Sequence, residues 1–183
     1  MSKSLIIIDI QEDYFQGGAC ELVDPIQTSL EAKKLLNVFR EKNLPVFHIQ
    51  HINSIVANAT FLLPNTKGVE IHENVKPKEN EPIIEKNFPN SFLQTNLENE
   101  LEKLNIKDVI ICGMMSHMCV DATTRAAFDL GFNCTVAHEA CTTKDMEFKS
   151  EAINQKDVHN AFMSALGAVY AKMETTNEII KSL

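Results

Sequence analysis

Hydrophobic residues in this chain fall into short unbroken runs rather than alternating with polar ones. "SLIIIDI", "PVFHIQH", "DVIICGMM" and "CTVAHEA" are rich in Val and Ile, the pattern of strands covered on both faces in a parallel sheet. Between them the period lengthens to that of a helix. "PIQTSLEAKKLLNVFREKN" sets Leu30, Leu35, Leu36 and Phe39 on one face, "LQTNLENELEKLN" follows, and "CVDATTRAAFDLG" closes on Gly131 as a C-cap. A helical segment through Val158 to Leu166, a sixth strand at "AVYAKM" and a terminal helix from about Thr175 complete the series. Strand and helix alternate throughout, so the expected class is α/β.

The stretch from Asn53 to Pro82 has neither period. It holds three of the six prolines and a polar "KPKENEP" tract, and long loops in compact domains tend to be functional or mobile. It is expected to cover the site or to make an oligomer contact. No repeat, low-complexity tract or linker divides the 183 residues, so residues 1–183 are expected to form one domain that buries about two thirds of its unfolded surface.

Charge narrows the partners. Against 25 Asp and Glu stand 17 Lys and Arg, a net charge of −8, with the basic residues scattered; nucleic acid and anionic membranes are poor partners for such a chain. The apolar run Leu5 to Ile8 is ended by Asp9, far short of a signal h-region or a span, so a cytoplasmic location is expected. The five cysteines are odd in number, scattered and free of CxxC pairs, as a reduced compartment permits.

Ligands of open parallel sheets bind outside the carboxyl ends of the strands, and three reactive side chains stand at such ends. Asp9 follows Leu5 to Ile8, where an ionised carboxylate is costly unless paired. Lys86 follows "PIIE", and Cys119 follows "DVIIC" and opens a helix, whose free N–H groups and dipole favour an anion and should depress the thiol pKa. Taken singly, each has a plain alternative: an acid capping a turn, a surface lysine, a buried cysteine. Together their chemistry is complementary. A carboxylate can take the thiol proton, an ammonium can stabilise both anions, and helix N–H groups can receive an oxyanion, which makes a covalent acyl-transfer site without histidine.

Other constellations carry less. Ser116 in "GMMSHMC" lacks the second glycine of a nucleophile elbow and reads as a helix-entry residue. His48 and His51, three apart on a strand, point to different faces, and neither they nor His138 with Cys141 match a zinc spacing. No metal is therefore expected, an expectation that turns on His48, His51 and His72. Neither GxGxxG nor a P-loop follows a strand, so no nucleotide cofactor is expected. The N-x-T sequons at Asn58 and Asn133 carry no weight in a cytoplasmic protein.

Three segments, "LIIIDIQEDYF", "EKNFPNSF" and "GMMSHMCVDATTRAAFDLGF", resemble in order and spacing the signature segments of the isochorismatase-like cysteine hydrolases, the superfamily that includes nicotinamidases. The likeness runs from about Leu5 to Met173. It implies a Rossmann-like three-layer fold with a six-stranded parallel sheet in 3-2-1-4-5-6 order, a catalytic triad of Asp9, Lys86 and Cys119, and a homo-oligomer, at least a dimer. It also implies a cis peptide at Met114-Met115 and an oxyanion held by the backbone N–H groups of Met115 and Cys119. The implied reaction is hydrolysis of a C–N bond in a small amide or carbamoyl substrate through a Cys119 thioester, with Asp9 serving both half-reactions.

Two departures narrow it. Members resembling true isochorismatases, which cleave a vinyl ether, carry glycine where this chain has Cys119. Nicotinamidases carry Asp-x-His and a further His for a metal, whereas this chain has "FHIQHINS" without aspartate. Pocket lining is expected from Phe15, Phe88, Asn90, Phe92, His117 and Met118. The competing readings are a thiol-based binding or redox protein on the same fold and an assembly protein with a vestigial site.

Overall fold

The computed structural model describes residues 2–183. Its elements in chain order are β1 (Ser2–Ile8), α1 (Pro25–Glu41), β2 (Val46–His51), β3 (Ile83–Lys86), α2 (Leu97–Lys103), β4 (Ile106–Met114), α3 (Asp121–Asp129), β5 (Asn133–Thr142), β6 (Met146–Phe148), β7 (Glu151–Ile153), α4 (Gln155–Val169), β8 (Lys172–Glu174) and α5 (Thr176–Ser182). The main sheet runs β3-β2-β1-β4-β5-β8 and every neighbouring pair is parallel. This is the expected order, with β8 as the sixth strand of the sheet. The chain winds from β1 through α1 to β2 in one direction and from β4 through α3 to β5 in the other. Right-handed crossovers then place α1 and α3 on opposite faces, giving three layers.

The unbroken apolar runs are explained by this burial. Leu5, Ile6, Ile7 and Ile8 of β1 and Val109 to Cys112 of β4 are all buried, because helices cover the sheet on both sides. In α1, Pro25 sits at the first helical position, where its missing N–H costs nothing, and Ala32, Leu35, Leu36 and Phe39 turn to the sheet. Leu30 does not join them: it is 38% exposed, because the buried stripe at that turn passes through Thr28 and Ser29 instead. Helix α4 runs on through Ala168 and Val169, which the sequence assigned to a strand, and β8 starts at Lys172.

The hairpin β6–β7 has no counterpart in the sequence reading. Its turn residues Lys149 and Ser150 both have positive φ, the backbone that a two-residue hairpin turn needs, without the Asn-Gly or Asp-Gly that announces one. In the pairing of β1 with β4, Gly113 stands opposite Ile8. Its φ is +130°, and a Cβ there would lie 2.0 Å from the Ile8 carbonyl oxygen, so only glycine fits. Among the described residues no helix is long and apolar enough to cross a membrane.

Candidate active site

The aligned carboxyl ends of β1, β2, β3 and β4 gather the reactive side chains. Asp9 leaves β1 with φ +50°, a left-handed conformation that Asp tolerates better than most residues, and is fully buried. Lys86 ends β3 beside His51, its register partner at the end of β2. Cys119 lies in a π-helical turn, Ser116–Val120, that precedes α3; such turns recur at functional sites. The Met114–Met115 peptide before that turn is cis.

The Lys86 ammonium is the hub. Its Nζ donates to His51 Nδ1 at 2.8 Å, to the Phe88 carbonyl at 3.1 Å and to Cys119 Sγ at 3.2 Å, which uses its three protons. Asp9 Oδ2 is 2.8 Å away, yet neither carboxylate oxygen receives a well-directed hydrogen bond. Asp9 is thus held by charge with its acceptor sites free, and its carboxylate lies within 4.8 Å of Cys119 Sγ. Burial pulls the Lys86 pKa down, but Asp9 and Cys119 outweigh it and the net direction is upward.

The thiol departs from the sequence expectation. Burial and then the Asp9 carboxylate push the Cys119 pKa up, against the pull of Lys86. A position before a helix was visible in the sequence; the desolvation that reverses its effect was not. The resting group is a thiol beside a base rather than a free thiolate.

His51 is the residue that sequence reasoning left out of the site. Asn53 Nδ2 donates to the Phe61 carbonyl at 2.8 Å, which turns its Oδ1 to His51 Nε2 at 2.9 Å. Nε2 therefore carries the ring proton, and Nδ1 offers its lone pair to Lys86. Burial and Lys86 both lower the His51 pKa, against Asp9 and Asn53, so the ring is neutral. Its signal in the sequence was its place at the end of a strand, the criterion that had selected the triad.

Asp9, His51 and Cys119 offer ligand atoms close enough to share a cation. The point on which they converge is taken by Lys86 Nζ, so a metal does not fit there. His48 lies elsewhere, its Nε2 3.0 Å from Glu81, and His72 accepts from Asn74 N and stacks on Phe15 with ring centroids 3.7 Å apart.

Above the triad opens a cavity of about 460 Å³. The loop Asn53–Leu62 forms one wall and is pinched shut by a bond from Asn53 N to the Leu62 carbonyl. Asp13 anchors it, accepting from Leu62 N and Ala19 N; a Cβ on Gly68 would lie 2.2 Å from that carboxylate. The covering-loop expectation therefore applies to its first third. Of the expected lining, Phe88 and Met118 face the cavity, beside Met115 and Cys119, while Phe15, Asn90, Phe92 and His117 do not line it. Phe15 stacks on His72, Asn90 caps Phe92 N within its own turn, Phe92 stacks on Phe132, and His117 bonds Thr143. Tyr14 and Phe61, not foreseen, supply aromatic walls.

Residues 3–168 match the family model for the isochorismatase domain. The chain belongs to the isochorismatase family. Its relatives include the isochorismatase family protein YddQ of Bacillus subtilis, 46% identical over 99% of this chain and 100% of that protein. Streptothricin hydrolase of Streptomyces noursei is 29% identical over 92% of this chain and 59% of that enzyme. A solved structure from Oleispira antarctica, named as an isochorismatase hydrolase, superposes with a TM-score of 0.93 at 41% identity over 98% of this chain and 96% of that one. Nicotinamidase 3 of Arabidopsis thaliana is 25% identical over 98% of this chain and 88% of that protein, so this isochorismatase-family hydrolase is related to an amidase.

Proposed function

We propose that this hydrolase is a cysteine amidase that cleaves the C–N bond of a small amide or carbamoyl substrate without a metal. The observation that carries the reading is Lys86 Nζ, 2.8 Å from Asp9 Oδ2 and 3.2 Å from Cys119 Sγ, at the floor of an open cavity. Asp9, with free acceptor sites, takes the thiol proton as Sγ attacks the carbonyl, and Lys86 stabilises the thiolate as it forms. Met118 N and Val120 N both turn to the Met115 carbonyl, and the N–H groups of Cys119 and Met115 are assigned to the oxyanion. Asp9 then returns its proton to the leaving amine, and a water activated by the same carboxylate hydrolyses the thioester.

Burial favours the neutral thiol in the resting state, as a general-base mechanism requires and a redox thiol does not. The proposed partners are the substrate and further copies of this chain. Ammonia release from an amide panel that includes nicotinamide, run on wild type and Cys119→Ala in parallel, tests the reading. Turnover in the wild type alone is expected; equal turnover in a folded Cys119→Ala variant refutes it.

A further inference from the structure

The cavity above Cys119 is neutral, and this points to the kind of acyl group that fits it. Among the described residues no Asp, Glu, Lys or Arg lines it. Below it, Asp9 and Lys86 cancel each other as an ion pair. The titratable groups in its wall are uncharged near neutral pH: burial raises the Tyr14 phenol and the Cys119 thiol and lowers His51.

Two polar groups of the inner wall, the Tyr14 hydroxyl and the Asn87 side-chain NH2, are uncharged hydrogen-bonding groups open to a ligand, and the others are occupied. Asn53 is spent on His51 and the Phe61 carbonyl, and the Asn87 Oδ1 accepts from Ser54. Asn58 and Thr60 are exposed at the rim. The rest of what a ligand meets is aromatic and aliphatic: the Tyr14, Phe61 and Phe88 rings within, and at the mouth Ile55, Val56 and Met118, which are 56%, 54% and 41% exposed.

Taking the amidase reading as its basis, we infer that the substrate is an uncharged amide whose acyl part is an aromatic ring or a branched hydrocarbon. A carboxylate or ammonium on that part would lose its water and gain no charged partner in this cavity, whereas a flat ring meets Tyr14 and Phe61, whose centroids are 6.0 Å apart. Specificity here is rejection as much as attraction.

The test uses benzamide, 4-carboxybenzamide and 4-(aminomethyl)benzamide, which share a ring and an amide and differ in charge. Affinities are measured by calorimetric titration on full-length Cys119→Ala, with Cys119→Ser beside it so that misfolding of one variant does not end the comparison. Benzamide is expected to bind at least about tenfold more tightly than either charged analogue, the penalty of an unpaired buried charge. Equal or tighter binding of a charged analogue overturns the inference, and so does the absence of binding by all three. Wild-type ammonia release on the same panel separates the two readings: benzamide bound but never hydrolysed refutes the amidase, while Cys119-dependent hydrolysis that favours a charged analogue refutes only the neutral substrate.

Discussion

At the scale of single residues the site is organised around the three protons of Lys86. Because they go to His51, Phe88 O and Cys119, removing His51 frees one and lets the ammonium swing towards Asp9. His51→Leu is expected to lower kcat about 10- to 100-fold, the equivalent of one hydrogen bond to a charged group, with KM little changed and partial recovery in His51→Gln. Steady-state kinetics on the three proteins checks this, and a fall confined to KM would make His51 a substrate contact instead. The thiol itself makes a second prediction. Its pKa is raised, so iodoacetamide should alkylate Cys119 slowly at neutral pH and faster only above about pH 9, where an unperturbed thiol has already ionised. A rate that levels off below pH 8 would show a thiolate at rest.

These residues were unequally legible. Asp9, Lys86 and Cys119 could be read because each is a reactive group where an apolar run stops. His51 stops a run as well, but its meaning depends on register with Lys86, a tertiary fact. The direction of the thiol shift depends on burial from elements distant in sequence, so local position alone gave the wrong sign.

At the scale of elements, the strands were legible because a sheet covered twice leaves unbroken apolar runs, whereas the hairpin β6–β7 is exposed and its apolar Phe148 and Ile153 join no buried face. A cluster just before β3 ties elements together: Arg40 of α1 forms a two-pronged pair with Glu81, which also meets His48 of β2 and Lys78 N. Although burial raises the Glu81 pKa, these donors pull it to about 2, from an ordinary 4.5. A depressed folded pKa stabilises the fold above the unfolded value and loses that stability as pH falls. Wild-type stability should therefore fall between about pH 4.5 and 2, and Glu81→Gln should remove that part of the dependence at a cost of about 1–3 kcal/mol near neutral pH. Denaturant melts of both proteins across that range measure it.

At the scale of the whole molecule one contiguous core joins β1, β2, β4 and β5 to α1 and α5. Calorimetry is expected to give a single transition whose calorimetric and van't Hoff enthalpies agree; two resolved transitions would divide the chain into separate folding units. Phe148 and Val169, 66% and 63% accessible, lie outside that core.

The ammonium at the centre of the site has a consequence for supply. A catalyst that relies on a bound ion must find it, keep it and compete for it. Here the cation is synthesised with the backbone and carried into place at the end of β3. Once folded, the chain has no cation to acquire there, and scarcity of trace elements does not strip it from the protein.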